Sequence, residues 1–335
     1  MRYLFAVLAL SVTIGLCWFL DHSRFAAVPF GMGRVLDPFH GVWQNMEGEN
    51  FDLSEKMDLS GLEHPVKVHY DDRKVPHIFA ENDHDLYFMQ GFVTARDRLW
   101  QMEFQIFSAS GRLSELIDNP RAVELDRMRR RTGMVKAAED ALAFIEKNPL
   151  SLGVLDAYTQ GVNAWIDQLT YQDFPVEYKL LDYSPEHWSN LKTSLLLKLM
   201  AWDLTGRSLD FQNTNTLMTL DSSKYADLFP YYSDSVIPII PRSDSFPTAS
   251  VLVDSVSYSP QNIVPILEYP QPHPNNGSNN WAVSGKKTAS GYPILCNDPH
   301  LSLRLPAIWY EVQLTTPEHS VYGVSLPGAP CVTIG

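Results

Sequence analysis

The chain has 335 residues, 45% hydrophobic and 12% aromatic, the make-up of a globular protein long enough to bury a large core. Its formal net charge of −13 argues against nucleic-acid binding, which needs a basic footprint. Three cysteines are too few for a disulfide framework, and no bridge is assigned between Cys296 and Cys331.

Leu4 to Leu20 is almost continuously apolar, with Arg2 before it and Asp21-His22-Ser23-Arg24 after it. Residues 1–24 therefore read as a signal anchor, with a cleaved signal peptide as the second choice. Either reading exports the body of the protein, to a periplasmic or extracytoplasmic position. Residues 25–61 show little periodicity and read as a linker. Val66, Val68 and Tyr70 alternate with polar residues and predict a strand; Val75 to Phe79 returns, with Pro76 favouring a sheet edge. Asn82 or Asp83 caps a long helix whose apolar stripe is Phe88, Phe92, Ala95, Leu99, Met102 and Ile106.

More helices follow, one carrying Leu155, Tyr158, Val162 and Ile166, another over 191–204, so 62–230 is a helical region. Arg127 to Arg131 reads as a solvated helix face. Residues 231–277 are rich in Pro, Ser and Asp and read as a spacer. From Ser278 onward the pattern is of strands joined by short turns, an antiparallel sheet that begins at that serine.

Gly277-Ser278 lies at this junction. Asn276-Gly277 is a good hairpin-turn signal, and on local sequence alone the turn reading prevails. A backbone break before Ser278 would give the serine a free α-amine, titrating near ~8, beside its own hydroxyl. One residue would then supply nucleophile and base. A removable spacer before it and a rigid sheet after it favour that chemistry.

Several runs resemble the penicillin acylase family of N-terminal-nucleophile hydrolases: Val75-Pro76-His77-Ile78, Gln90 to Met102, Gly111 to Leu116, and Gln160-Gly161-Val162-Asn163-Ala164. Gly277-Ser278-Asn279-Asn280-Trp281 is similar to that family's processing site. Asn297-Asp298-Pro299-His300 and Leu326-Pro327-Gly328-Ala329-Pro330 resemble segments of its β subunit. The resemblance implies an α+β protein, the αββα sandwich of these hydrolases, incomplete over this chain. A helical α-subunit region would precede the start of an antiparallel β-subunit sheet at 278–335.

It also implies an amide hydrolase cut at Gly277-Ser278 into associated subunits, acting on penicillin- or cephalosporin-type amides or acyl-homoserine lactones through an acyl-enzyme. Ser278 would be nucleophile and base, and His300 would orient it by a hydrogen bond; a Ser278-His300-Asp298 triad is the weaker arrangement. Leu204, Leu301 and Trp309 fall where the acyl pocket has its wall, and the family's Arg-Phe gating pair is here Asp203-Leu204. Catalysis would need no cofactor. Asp210 falls where some members bind a structural calcium, which needs six to eight oxygens.

His64, His69, His77 and His84 lack a metal-ligand spacing on one helix face. The final residues read as a strand cut mid-run, so the chain is expected to be a fragment, inactive and unprocessed on its own. A membrane-anchored, non-catalytic binding protein that keeps the fold is the alternative.

Overall fold

The computed structural model describes residues 2–23, 29–37, 42–46, 56–205, 209–220, 222–230, 277–301 and 303–335. Helix α1 (Arg2–His22) is apolar on all sides, buries no residue, and is by length and composition able to cross a membrane. Its 21 residues extend roughly 30 Å at the rise of an α-helix, the thickness of a bilayer core. The region expected to be a plain linker contains two short helices, α2 (Gly33–Leu36) and α3 (Trp43–Met46). Both are tied down by long-range polar contacts. Arg34 pairs with Asp182 at 2.7 Å, and Asn45 accepts from the buried ammonium of Lys179 at 2.9 Å. These contacts join segments far apart in sequence, which local periodicity does not register.

Six strands are present among the described residues: β1 (Lys67–Tyr70), β2 (Pro76–Phe79), β3 (Gly277–Val283), β4 (Ile294–His300), β5 (Tyr310–Thr315) and β6 (Ser320–Ser325). They form a four-stranded sheet ordered β1-β2-β5-β6 and a separate β3-β4 ribbon. The expectation of one antiparallel sheet after Ser278 is therefore corrected. β5 and β6 pair antiparallel with each other, but β5 runs parallel to β2. Tyr310, Val312 and Leu314 form one buried face of β5, in one cluster with Ile78 of β2 and Leu86, Met89, Phe92 and Val93. That shared apolar face draws β5 to the N-terminal strands.

β2 is consequently internal, not an edge. Pro76 is tolerated because it is the first residue of the strand. It faces Tyr70 on β1, and pairing to β5 starts only at His77, opposite Gln313.

The long predicted helix is α4 (Asp83–Ser110), capped by Asn82, whose side chain accepts from the Asp85 amide at 2.7 Å. Gly111 closes it at φ 69°, a left-handed conformation suited to glycine. All six residues of the predicted stripe are buried. At about 1.5–3 kcal/mol for each large apolar side chain removed from water, this stripe is a main source of cohesion.

Helices α5 (Leu113–Leu116), α6 (Pro120–Arg131) and α7 (Met134–Ile145) follow, then α8 (Pro149–Ile166), α9 (Val176–Leu181) and α10 (Asn190–Asp203). α8 packs along α4, and α10 lies against α7 and α4. Around this core sit Tyr158, Val162, Tyr178, Leu195, Leu196 and Leu199. The basic run of α6 is only partly the solvated face expected of it. Asp126 is buried, accepting from the amides of Leu113 and Ser114, and Arg129 is buried beside the Trp202 ring.

Glu103, fully buried on α4, gathers the segment between α9 and α10. It accepts from the Tyr178 hydroxyl at 2.6 Å and the Glu186 amide at 2.7 Å. Burial pushes its carboxyl above the ordinary range. Residues 204–276 make a second unit, of which α11 (Asp210–Thr219) and α12 (Ser222–Leu228) are described. The predicted spacer, up to residue 276, lies outside the described residues.

Candidate active site

β3 begins at Gly277 and pairs with β4 in a register that sets Gly277 opposite His300, Ser278 opposite Pro299, and Asn279 opposite Asp298. The sequence distance of 22 residues between Ser278 and His300 thus becomes near-adjacency across two strands (300 − 278 = 22). Side chains alternate along a strand, so Ser278 projects to one face of the ribbon while His300 and Asp298 project to the other. The Ser278 hydroxyl donates to the Gly277 carbonyl at 2.6 Å. The Ser278 hydroxyl and the carbonyl that precedes it are thereby held side by side.

His300 Nε2 lies 2.8 Å from Asp298 Oδ2 and 3.5 Å from the Asn279 amide. A His-Asp pair therefore exists on β4, and among the described residues it makes no hydrogen bond to Ser278. The ribbon is largely exposed, including Trp281 and Leu295.

Of the three wall candidates, Leu301 directly follows His300 and is half-buried, and Trp309 directly precedes β5 and is half-buried. Leu204 is 59% exposed and belongs to the second unit. Asp203 ends α10 and lies in the electrostatic field of Arg129 and Arg304.

The helix run resembling the acylases grips the start of β5. Asp97 accepts from the Tyr310 hydroxyl at 2.6 Å and from Arg96 at 3.0 Å. Burial and the Asp97 carboxylate push the Tyr310 hydroxyl well above its usual range. Gln101 donates to the Ala307 carbonyl at 2.9 Å. These roles were missed from sequence, although three successive charges, Arg96-Asp97-Arg98, near the middle of the helix are a visible signal.

The Leu326 to Pro330 run is fixed in a similar way. Gly328, at φ 104°, donates its amide to the buried Tyr158 hydroxyl and accepts from Thr193 at 2.9 Å. Gln90, wholly buried, clasps the Cys331 backbone from both sides, accepting its N–H at 2.9 Å and donating to its carbonyl at 3.1 Å.

Asp210 is the first residue of α11. No group of three potential metal-ligand side chains includes it among the described residues, so by itself it does not fit the oxygen shell calcium needs. The one such group there is Glu63, His64 and Asp85, contributed by a loop and the start of α4. Helix-face spacing does not detect a group of that kind. Asp85 is committed to structure: its two oxygens accept from the amides of Glu63 and His64 at 2.8 Å each.

The sequence profile of the penicillin amidase family matches residues 65–335, and the chain belongs to that family. It is 29% identical over 285 residues to the acyl-homoserine lactone acylase QuiP of Pseudomonas aeruginosa, covering 83% of this chain and 32% of that protein. It is likewise 29% identical over 285 residues to the penicillin acylase 2 proenzyme of Pseudomonas sp. strain SE83, covering 83% of this chain and 35% of that protein. The chain thus spans about a third of the length of these curated relatives. A penicillin G acylase structure from Alcaligenes faecalis aligns at 20% identity and a TM-score of 0.45, covering 53% of this chain and 97% of that one.

Proposed function

We propose that the protein is an amide hydrolase whose nucleophile, Ser278, is released by self-cleavage after Gly277. The observation that carries this reading is the placement of Ser278. In a chain of the penicillin amidase family, it opens a strand with its hydroxyl against the Gly277 carbonyl, one register position from His300. In the maturation step, Ser278 Oγ attacks the Gly277 carbonyl carbon as the Gly277–Ser278 C–N bond breaks. This leaves an ester on Oγ and a free α-amine. Water hydrolyses the ester, giving a Gly277 carboxylate and Ser278 as the first residue of a new chain. Glycine suits this position because it has no side chain to obstruct attack.

In turnover the amine accepts the Ser278 hydroxyl proton as Oγ attacks the substrate amide, then delivers it to the departing amine. Water completes hydrolysis of the acyl-enzyme. Freed at its N-terminus, Ser278 can turn toward His300, which Asp298 holds in orientation. Substrates are small N-acylated amines, of the acyl-homoserine lactone or acylated β-lactam kind, with the acyl chain against Leu301 and Trp309. Asp203-Leu204, in place of the family's Arg-Phe pair, favours an acyl group other than phenylacetyl.

Helix α1 serves as an export signal or anchor, placing the body outside the cytoplasmic membrane. The associated subunits produced by cleavage form the αββα sandwich. A structural calcium at Asp210 would require oxygens from elsewhere. The direct test is amine release from N-acyl substrates by the complete gene product. The wild type hydrolyses at least one of them and Ser278→Ala none; equal hydrolysis by both would overturn the assignment.

A further inference from the structure

Helix α4 breaks at Arg98, whose φ of −140° and ψ of 15° are not helical. Kinks are ordinarily caused by proline, glycine, or a group inserted into the hydrogen-bond ladder, and residues 96–101 contain neither proline nor glycine. At the break, Arg98 Nη1 donates to Gln101 Oε1 at 3.2 Å. With its oxygen held, the Gln101 amide has its NH₂ directed at the Ala307 carbonyl, 2.9 Å away, and Arg98 Nη1 reaches the same carbonyl at 3.5 Å. The Arg98 guanidinium also lies 5.8 Å from the centre of the Tyr310 ring, whose hydroxyl is held by Asp97.

These contacts converge on the connection from His300 to β5. That connection is apolar yet poorly packed: Leu303 and Leu305 are fully exposed, and Leu301 and Trp309 are half-buried. Ile308 packs against the core; the rest of the connection is held by polar contacts to its backbone, and the side chains of Leu303 and Leu305 remain available.

We propose that Arg98 and Gln101 are positioning residues that hold the 303–309 connection and so determine which acyl chain the site accepts. This rests on the acylase reading above. The two residues act through Ala307 and Tyr310 and touch neither nucleophile nor substrate. Leu301 and Trp309 supply the apolar surface for the acyl chain.

The test compares Gln101→Leu, Arg98→Ala and Arg98→Lys in the complete gene product, by hydrogen exchange over 303–309 and by kinetics on short- and long-chain N-acyl substrates. Gln101→Leu and Arg98→Ala should speed exchange and raise KM for the long-chain substrate by about tenfold, with a smaller loss in kcat. Arg98→Lys, which keeps a donor for Gln101, should restore most of both. Unchanged exchange in both loss variants overturns the clamp. Faster exchange with the same chain-length preference overturns the specificity role. A wild type that hydrolyses none of the substrates removes the acylase reading and the specificity claim together, while the exchange result still reports on the clamp.

Discussion

Gly91 on α4 and Gly161 on α8 face each other where the two helices meet. A Cβ on Gly91 would stand 2.2 Å from the Tyr158 carbonyl oxygen, and one on Gly161 would stand 1.8 Å from that of Phe88. Both obstacles are backbone atoms, which cannot rotate away. The two Gln-Gly runs noted in the sequence are thus two halves of one helix crossing.

Replacing Gly161 by alanine must push the helices apart. Helix propensity favours alanine by about 1 kcal/mol, but overpacking against a backbone typically costs about 1–3 kcal/mol and opens contacts along both helices. Gly161→Ala should lower the urea midpoint, whereas Gly153→Ala, where a Cβ meets nothing within 4 Å, should leave it level or raise it. Chemical denaturation of both variants checks this contrast.

Gln90 supplies both partners of the Cys331 backbone from a fully buried position. Gln90→Leu keeps approximate volume but removes both bonds, and each buried polar group left alone costs about 1–3 kcal/mol. The expected result is faster amide exchange at Cys331 and a lower unfolding midpoint. Unaltered exchange at Cys331 would contradict the clasp.

Glu186 is held below the usual carboxylate range first by its hydrogen bond to Arg112, at 2.7 Å, with Lys192 at 3.3 Å assisting. A carboxyl depressed in the folded state contributes stability that is present above its unfolded pKa, near ~4.3, and lost as pH falls through the folded value. Glu103 works oppositely. Its folded pKa is raised, so its contribution is present below the unfolded value and lost as pH rises through the folded one. Glu186→Gln should therefore shrink the stability difference between wild type and variant as the buffer is taken from neutral to acid. Urea midpoints across that range test the sign.

Much of the helical region was legible because its stripe repeats at helical spacing and its caps are of ordinary type, Asn82 before α4 and Gly111 after it. The alternation in β5 was equally plain. What alternation does not carry is the partner of a strand, so the parallel union of β5 with β2 was missed, and with it the internal place of Pro76. At the candidate site, Gly277, Ser278 and His300 were singled out through motif order, and the ribbon register puts them on adjacent strands. The facing direction of His300 was not legible, because it depends on pairing register rather than on residue type. The Arg98 break was also hidden, since no proline or glycine announces it.

The central claim is that Ser278 becomes the first residue of a chain by its own chemistry. Intact-mass and N-terminal analysis of the complete gene product tests it most directly. The expected result is two chains, one beginning at Ser278, and a single uncut chain for Ser278→Ala. A wild type that stays in one piece, or a Ser278→Ala variant cut at the same bond, would contradict it.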